Sequence, residues 1–239
     1  MKLIKHQRVS ASISDAQANL SVLGVFQIVQ DAVTEMMGRL KIDGITAREK
    51  YNAVWVFTRN RAKLFKTRRW NDDELTITAF VSVITRATIS IDVSIRDYND
   101  EPIAYSRIEM CPLDLSTMRI RRVDTVGVTE QFTTEQAETD VAFTKFDCIP
   151  TEIVDELRVR STSIDMAQHT NNVEYIRFIL NTYTVKQLKD KHIRELEIRY
   201  INQSYEDDLL TVYKQCEQDK DMFLLTTCGK EVVKCEVLF

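Results

Sequence analysis

The sequence predicts an α+β protein in which one unit, a long helix packed on a curved antiparallel sheet, is used twice. Three observations predict it. Several stretches alternate apolar and polar residues with period two. A helical apolar stripe precedes each group of such stretches. The second half of the chain also repeats the order of the first.

Residues 4–13 read as a first strand. Val22, Val25, Phe26, Val29, Val33, Met36, Met37 and Leu40 then fall at three- and four-residue steps. They form the apolar stripe of a helix of about five turns. Residues 54–65, 75–83, 87–95 and 103–113 follow as strands, with a turn at 98–102. In the second half, residues 156–164 are strand-like, and Val173, Ile176, Leu180 and Tyr183 mark a second helix. Four strands follow at 194–201, 209–215, 222–228 and 231–239, with turns at 219–221 and 229–230.

The two halves echo each other. Residues 72–77 match 207–212, with Trp70 opposite Tyr205, and Ala16-Gln17 match Ala167-Gln168. This alignment sets Ala18 against His169, Leu20-Ser21 against Asn171-Asn172, and Gly24 against Tyr175. The first copy is longer after its helix, and the extra loop is placed near residues 41–52. The expected organisation is an N-terminal unit at 1–123, a polar, acidic crossover at 124–153 and a C-terminal unit at 154–239. A helix lying on a curved antiparallel sheet, used twice, is the tandem, or double, hot-dog arrangement.

Composition narrows the function. The chain has 239 residues, 44% hydrophobic and 28% charged, with only five Gly and three Pro. These values fit a globular protein without long flexible linkers. The net charge of −4 argues against a nucleic-acid binder. The N-terminal MKLIKHQRVS has no apolar run behind its charges, and no stretch approaches a membrane span. A cytoplasmic protein is expected. The cysteines, Cys111, Cys148, Cys216, Cys228 and Cys235, are odd in number and have no CxxC spacing; buried reduced thiols are expected. No metal-ligand spacing, phosphate loop or nucleotide fingerprint is present, so no metal or cofactor is implied.

Asp165-Met-Ala-Gln-His-Thr-Asn-Asn172 lies where a strand ends and a helix begins. The plain reading is a cap: Asn171 or Asn172 starts the helix, and Asn171-x-x-Glu174 resembles a capping box. Three features exceed that reading. One helix start needs one cap, not six polar residues. His169 is one of three histidines, and His6 and His192 stand in charged surroundings. The first copy has also turned apolar at the aligned positions. The residue types suit acyl transfer. Helix-start N–H groups polarise a carbonyl, a carboxylate activates or orients water or attacks directly, and a histidine moves a proton near neutral pH.

The stretch 164–175 resembles the Asp-x-Asn-x-His-x-Asn-Asn-x-x-Tyr motif of the acyl-acyl-carrier-protein thioesterases of plants and bacteria. Residues 51–59 and 70–73 resemble their N-terminal half, in the same order. The resemblance implies a double hot-dog fold, with an acyl-chain pocket shaped by the N-terminal half and catalytic residues in the C-terminal half. It implies hydrolysis of a thioester to a free fatty acid and holo carrier protein, in fatty-acid metabolism. Asp165 and His169 match the family's catalytic Asp and His. The family's intervening Asn falls on Ala167. Its Glu and Cys on the next strand fall on Gln203 and Ser204. Gln cannot act as a base, but it can orient water or a carbonyl. Ser204 could replace the thiol but has no evident activating base. The catalytic set is thus Asp165, His169, Gln203 and the helix-start amides, with Asn171 and Asn172 orienting substrate.

The implied partner is an acyl carrier protein bearing a phosphopantetheine-linked acyl chain, with a homodimer as the candidate assembly. Carrier proteins are acidic, and Arg59, Arg61, Lys63, Arg68 and Arg69 are a candidate docking face; Arg119, Arg121 and Arg122 form a second basic cluster. Gly24 is assigned to leaving room for an acyl chain. Three alternatives stand beside this reading: a hot-dog hydratase or dehydratase, which would show Asp-x-Asn-Pro-x-His; an acyl-CoA thioesterase; and a non-catalytic acyl-thioester binder.

Overall fold

A computed structural model describes residues 1–72, 74–134, 139–147 and 149–239. Asp73 of the 72–77 echo, residues 135–138 of the expected crossover, and Cys148 lie outside the described residues. The chain divides into two compact units, Met1–Ala142 and Phe143–Phe239.

In the first unit the elements run β1 (Lys2–Gln7), α1 (Val22–Leu40), α2 (Gly44–Tyr51), β2 (Ala53–Leu64), β3 (Leu75–Ile84), β4 (Ile89–Arg96) and β5 (Pro102–Asp114). The antiparallel sheet has the order β1-β3-β4-β5-β2. The predicted stripe of α1 lies on this sheet; Val25, Phe26, Val29, Val33, Met36 and Met37 are buried. Their partners are the inward residues of the strands, such as Ile77, Ala79, Ile91, Val93 and Ile108. Val123, Val126 and Val128 join the same core, so the chain just after β5 packs on this unit.

The second unit contains β6 (Glu152–Arg158), α3 (Asn172–Leu180), α4 (Val185–Lys191), β7 (Glu195–Tyr200), β8 (Leu209–Cys216), β9 (Lys220–Thr227) and β10 (Lys230–Leu238). Its strand order is β6-β8-β9-β10-β7. Rank by rank this is the order of the first unit, so the repeat read from the sequence is a repeat of topology.

Four expectations change. The first strand of each copy is shorter than predicted and starts earlier, at Lys2 and at Glu152, the latter inside the expected crossover; after Gln7 and Arg158 the chain makes a single 3-10 turn, Ala11–Ile13 and Ser161–Ser163. The extra loop at 41–52 is a helix. The Asp43 side chain accepts from the amides of Ile45 and Thr46, both at 3.0 Å, and caps α2. The second long helix is broken, because Tyr183 turns inward to donate to the buried carboxylate of Asp221 at 2.7 Å. Thr184 and Gln187 then start α4 with a capping box. Of the described cysteines, Cys111 and Cys235 are buried as expected, but Cys216 and Cys228 are exposed, and all four are free thiols. Burial raises the Cys111 and Cys216 thiol pKa values, and hydrogen bonding to Asp221 raises Cys216 further. None of this favours a thiolate nucleophile.

The glycines of α1 give a test. A Cβ on Gly24 would stand 2.4 Å from the Ile13 carbonyl oxygen and 2.8 Å from its Cβ, whereas a Cβ on Gly38 meets nothing within 4 Å. Gly24 therefore exists to let the 3-10 turn approach the helix, not to leave room for an acyl chain. Gly24→Ala should destabilise the protein by about 1–3 kcal/mol through overpacking. Gly38→Ala should stabilise it by about 0.5–1 kcal/mol through helix propensity. Urea titration of both variants reads the signs; equal shifts would contradict the packing assignment.

Candidate active site

The loop between β6 and α3 is built by its own backbone. The Asp165 N–H donates to the His169 carbonyl at 3.0 Å, and the Gln168 N–H returns to the Asp165 carbonyl at 3.0 Å. Asp165 Oδ1 accepts from the Ala167 amide at 2.8 Å. Gln168 takes a left-handed φ of 67° to complete the turn. Asn171 donates its N–H to the Ser163 carbonyl and caps α3 by accepting from Val173 N–H at 2.9 Å. The expected capping box is not made: the Asn171 side chain caps the second helical amide, not that of Glu174. The Glu174 carboxylate faces Ser163 and Arg177 instead of returning to the cap.

The first copy contains the same loop. The Asp15 N–H donates to the Asn19 carbonyl, the Ala18 N–H to the Asp15 carbonyl, and Asp15 Oδ1 accepts from Gln17 N–H at 2.9 Å. Ala18 has φ 60°, and Ser21 caps α1. The true pairing is therefore Asp15 with Asp165, Asn19 with His169, Leu20 with Thr170, Ser21 with Asn171, Val22 with Asn172, Gly24 with Glu174 and Val25 with Tyr175. The sequence alignment was one residue out. The acid and the cap belong to both copies, so they are first of all loop architecture. The histidine, Thr170 and Asn172 are what the second copy has and the first lacks.

His169 sits on this frame with its Nδ1 3.3 Å from the Thr170 carbonyl and 3.9 Å from Asp165 Oδ1. Both side chains keep partial access to solvent, 15% for His169 and 22% for Asp165. With the proton on Nδ1 directed to the Thr170 carbonyl, Nε2 carries the lone pair. In the first copy Asp15 Oδ1 also binds the Asn19 amide at 2.9 Å. Among the described residues the corresponding His169 amide makes no such bond. The Asn172 amide at the head of α3 and Asp165 Oδ2 are also without a partner there.

Thr170 joins this loop to the segment before β8. Its N–H and its hydroxyl both donate to the Ser204 carbonyl, at 2.9 and 3.0 Å. Gln203, the neighbour of Ser204, is partly exposed, and its side-chain oxygen accepts from Tyr205 at 3.2 Å. Its amide NH2 remains available as a donor. Ser204 is fully buried and bonded to both Thr170 and Tyr175 at 2.8 Å. It is a structural hydroxyl, not a replacement nucleophile. Among the described residues no group of His, Cys, Asp or Glu could hold a metal ion.

The proposed docking cations lie in the first unit, and most are engaged. Arg59 lies 3.9 Å from Glu109, Arg61 donates to the Ala142 carbonyl, Lys63 is 3.8 Å from Asp140, and Arg68 pairs with buried Asp97. Arg69 is exposed. In the second basic cluster, Arg121 donates to the Tyr51 carbonyl and Arg122 pairs with Asp124. Sequence reasoning missed the buried polar group of Thr170, Ser204 and Tyr175. Aligning Val9 with Val159 and Asp15 with Asp165 would have exposed it.

Two outcomes test this geometry. Asn171→Ala should lower stability by about 1 kcal/mol, the usual cost of a lost cap, and Asn171→Ser should restore most of it in thermal unfolding. A serine-directed electrophile should leave Ser204 unlabelled in the folded protein. An adduct mapped to Ser204 by peptide mass spectrometry would contradict its structural role.

Comparison with known proteins places this geometry. Residues 149–237 match the family model of the acyl-ACP thioesterase C-terminal domain. The fold is similar to that of an acyl-ACP thioesterase from Bacteroides thetaiotaomicron, with a TM-score of 0.87 at 18% identity over 100% of this chain and 97% of that one. It is also similar to the 12:0-ACP thioesterase from Umbellularia californica, with a TM-score of 0.87 at 17% identity over 99% of this chain and 96% of that one. A search of curated proteins gives no match. At these identities the structural likenesses establish the fold, which is the double hot-dog. The family model of the acyl-ACP thioesterase C-terminal domain covers the part of the chain that holds the histidine loop, so it is this second unit that resembles that family in sequence.

Proposed function

We propose that this protein is an acyl-ACP thioesterase that hydrolyses the acyl thioester of a carrier protein to a free fatty acid and the carrier thiol. The single observation that carries the reading is His169, present on only one of two loops that share the same backbone frame, in the unit that matches the family model.

The chemistry follows from the groups at hand. His169 Nε2 takes a proton from water while Asp165 Oδ2 orients that water. The resulting hydroxide adds to the thioester carbonyl. The unpartnered amides of His169 and Asn172, at the positive end of α3, hold the oxyanion. Collapse breaks the C–S bond, and the leaving thiolate recovers the proton from the imidazolium. The Gln203 amide orients the carbonyl or the water, and the Asn172 side chain, free among the described residues, assists. Asn171 acts as the cap that fixes the helix start.

The first unit receives the acyl chain. The family resemblance supports this role, as do the adaptable side chains of Met36 and Met37 on α1. The carrier protein docks through exposed cations, of which Arg69 is the one in the proposed set without a partner among the described residues. The homodimer expected from the sequence is a separate part of the reading, checked by sedimentation. No helix among the described residues is long and apolar enough to cross a membrane.

A panel of acyl-ACP and acyl-CoA thioesters, followed by release of free thiol, tests the reading. Turnover of acyl-ACP is expected. Turnover of acyl-CoA alone would change the carrier, and binding without turnover would make the protein a non-catalytic thioester binder. Asp165→Asn and His169→Ala should each lower kcat by roughly 10²–10⁴-fold while the melting temperature stays near that of the parent; near-parental turnover in either would sink the assignment. Arg69→Glu should raise KM for acyl-ACP severalfold and leave KM for a small acyl thioester unchanged. Equal effects on both would move docking elsewhere.

A further inference from the structure

Thr170, Ser204 and Tyr175 are all buried, at 1%, 0% and 2% exposure. Their hydrogen bonds admit one proton order. The Ser204 N–H donates to the Tyr175 hydroxyl oxygen at 3.1 Å, and the Thr170 hydroxyl donates to the Ser204 carbonyl at 3.0 Å. The single proton of Thr170 is thereby used, so the 2.8 Å contact between Thr170 and Ser204 is a donation from Ser204. The single proton of Ser204 is then used in turn. The 2.8 Å contact between Tyr175 and Ser204 is therefore a donation from Tyr175. The result is a closed ring from the Ser204 N–H through three hydroxyls to the Ser204 carbonyl, with every proton placed. Burial raises the Tyr175 pKa, which keeps the ring neutral.

The first copy shows what the fold alone requires. There Leu20 takes the place of Thr170 and Val25 that of Tyr175. The same loop is joined to its partner segment by the backbone bond from Leu20 N–H to the Arg68 carbonyl at 2.7 Å, with the Thr67 hydroxyl on the Leu20 carbonyl at 3.1 Å. The loop closes without any hydroxyl ring. The ring occurs only in the copy that carries His169, and it anchors Thr170, the residue whose carbonyl faces His169 Nδ1.

We infer that Tyr175, Ser204 and Thr170 are positioning residues of the active site: their hydroxyl ring holds the Thr170 carbonyl against His169 Nδ1 and so selects the tautomer with a basic Nε2. The inference rests on the thioesterase reading for its catalytic consequence, but its structural content is independent of that reading. Tyr175 opens the ring at its start and Thr170 closes it at its end. Removing either hydroxyl leaves the remaining protons free to reorder.

Tyr175→Phe and Thr170→Val should each lower kcat on acyl-ACP by roughly ten- to a hundredfold, the range expected when a catalytic group is slightly misplaced, with KM little changed. Thr170→Ser keeps the hydroxyl and should recover most of kcat. Thr67→Val, which removes the corresponding hydroxyl contact of the first copy, should leave kcat unchanged. Nitrogen-15 NMR of the imidazoles reads the same inference without any substrate. With only three histidines in the chain, the His169 signals are assigned by His169→Ala. The parent should show the Nδ1–H form, and Tyr175→Phe a mixture of both tautomers.

A parent protein that hydrolyses no thioester yet shows the tautomer shift would sink the functional reading and keep the positioning role. Parental kcat and an unchanged tautomer in both Tyr175→Phe and Thr170→Val would overturn the positioning role and leave the thioesterase reading intact. A loss in Thr170→Val that Thr170→Ser does not recover, accompanied by a fall in melting temperature, would reduce the ring to packing and also overturn it.

Discussion

The backbone bond between the helix-start loop and the segment before the third strand of each unit is the constraint on which the rest depends. It runs from Leu20 N–H to the Arg68 carbonyl in one copy and from Thr170 N–H to the Ser204 carbonyl in the other. To make it, the chain must reverse within a few residues. An aspartate carboxylate accepting an amide two residues ahead makes the reversal possible, as does a non-glycine residue in the left-handed region. The carboxylate compensates for the cost of that conformation by satisfying amides that no helix or strand can reach. Once the loop is closed, the entry angle of the helix is set, and the helix can cover its sheet.

On this common frame the two copies diverged in opposite senses. The first copy became apolar above the bond: Leu20, Val22 and Val25 stand where the second copy has Thr170, Asn172 and Tyr175. Leu20 and Val25 are buried in the hydrophobic core beside α1, and Gly24 allows the 3-10 turn to come within contact of the helix. The second copy retained polar groups at the same depth. A buried hydroxyl without a partner costs about 1–3 kcal/mol, so polar groups survive there only as a complete set. The ring of Tyr175, Ser204 and Thr170 is such a set. Of the buried carboxylates elsewhere, Asp92 follows the same rule, whereas Asp221 follows it through Oδ2 alone, its Oδ1 having no hydrogen-bond partner among the described residues. Asp92 is held by two 2.7 Å bonds from Arg107 and by Ser82, and Asp221 by Tyr183, Lys191 and Lys214. These partners hold the Asp221 carboxyl below its ordinary pKa against the opposing effect of burial.

The repeat was legible because strand alternation and the stripe of α1 are properties of neighbouring residues. Leu75 to Ile84 and Ile89 to Arg96 lie where period two placed them. The helix at Gly44 was not legible, since Asp43-Gly44 also reads as a turn and only the carboxylate's bonds to two amides decide for a helix. The break after Leu180 depends on Asp221, which lies 38 residues beyond Tyr183; no local pattern carries that information. The histidine was found from its chemistry, but the alignment around it slipped by one residue. Polar residues outnumber apolar ones in that loop, and the pairing is fixed by backbone bonds that side-chain similarity does not record.

The slip matters for how the site is understood. Set against Ala18, His169 belonged to a cluster that one copy had wholly lost, and Asp165 looked as special as the histidine. Set against Asn19, the histidine remains special while Asp165 has a counterpart in Asp15 that performs the same loop-closing task. On the proposed reading Asp165 therefore carries two duties, with Oδ1 given to the Ala167 amide and Oδ2 left for chemistry. A carboxylate so divided is oriented by the fold before any substrate arrives. It needs no further residue to hold it, and this is consistent with an alanine at position 167. The same argument accounts for Ser204. Its hydroxyl proton is committed to Thr170 and its lone pair to Tyr175, so a nucleophile at that position would have to break a closed ring before it could act. In the proposed reaction nucleophilic attack therefore falls to water, and the protein's part is to fix the histidine proposed to activate it.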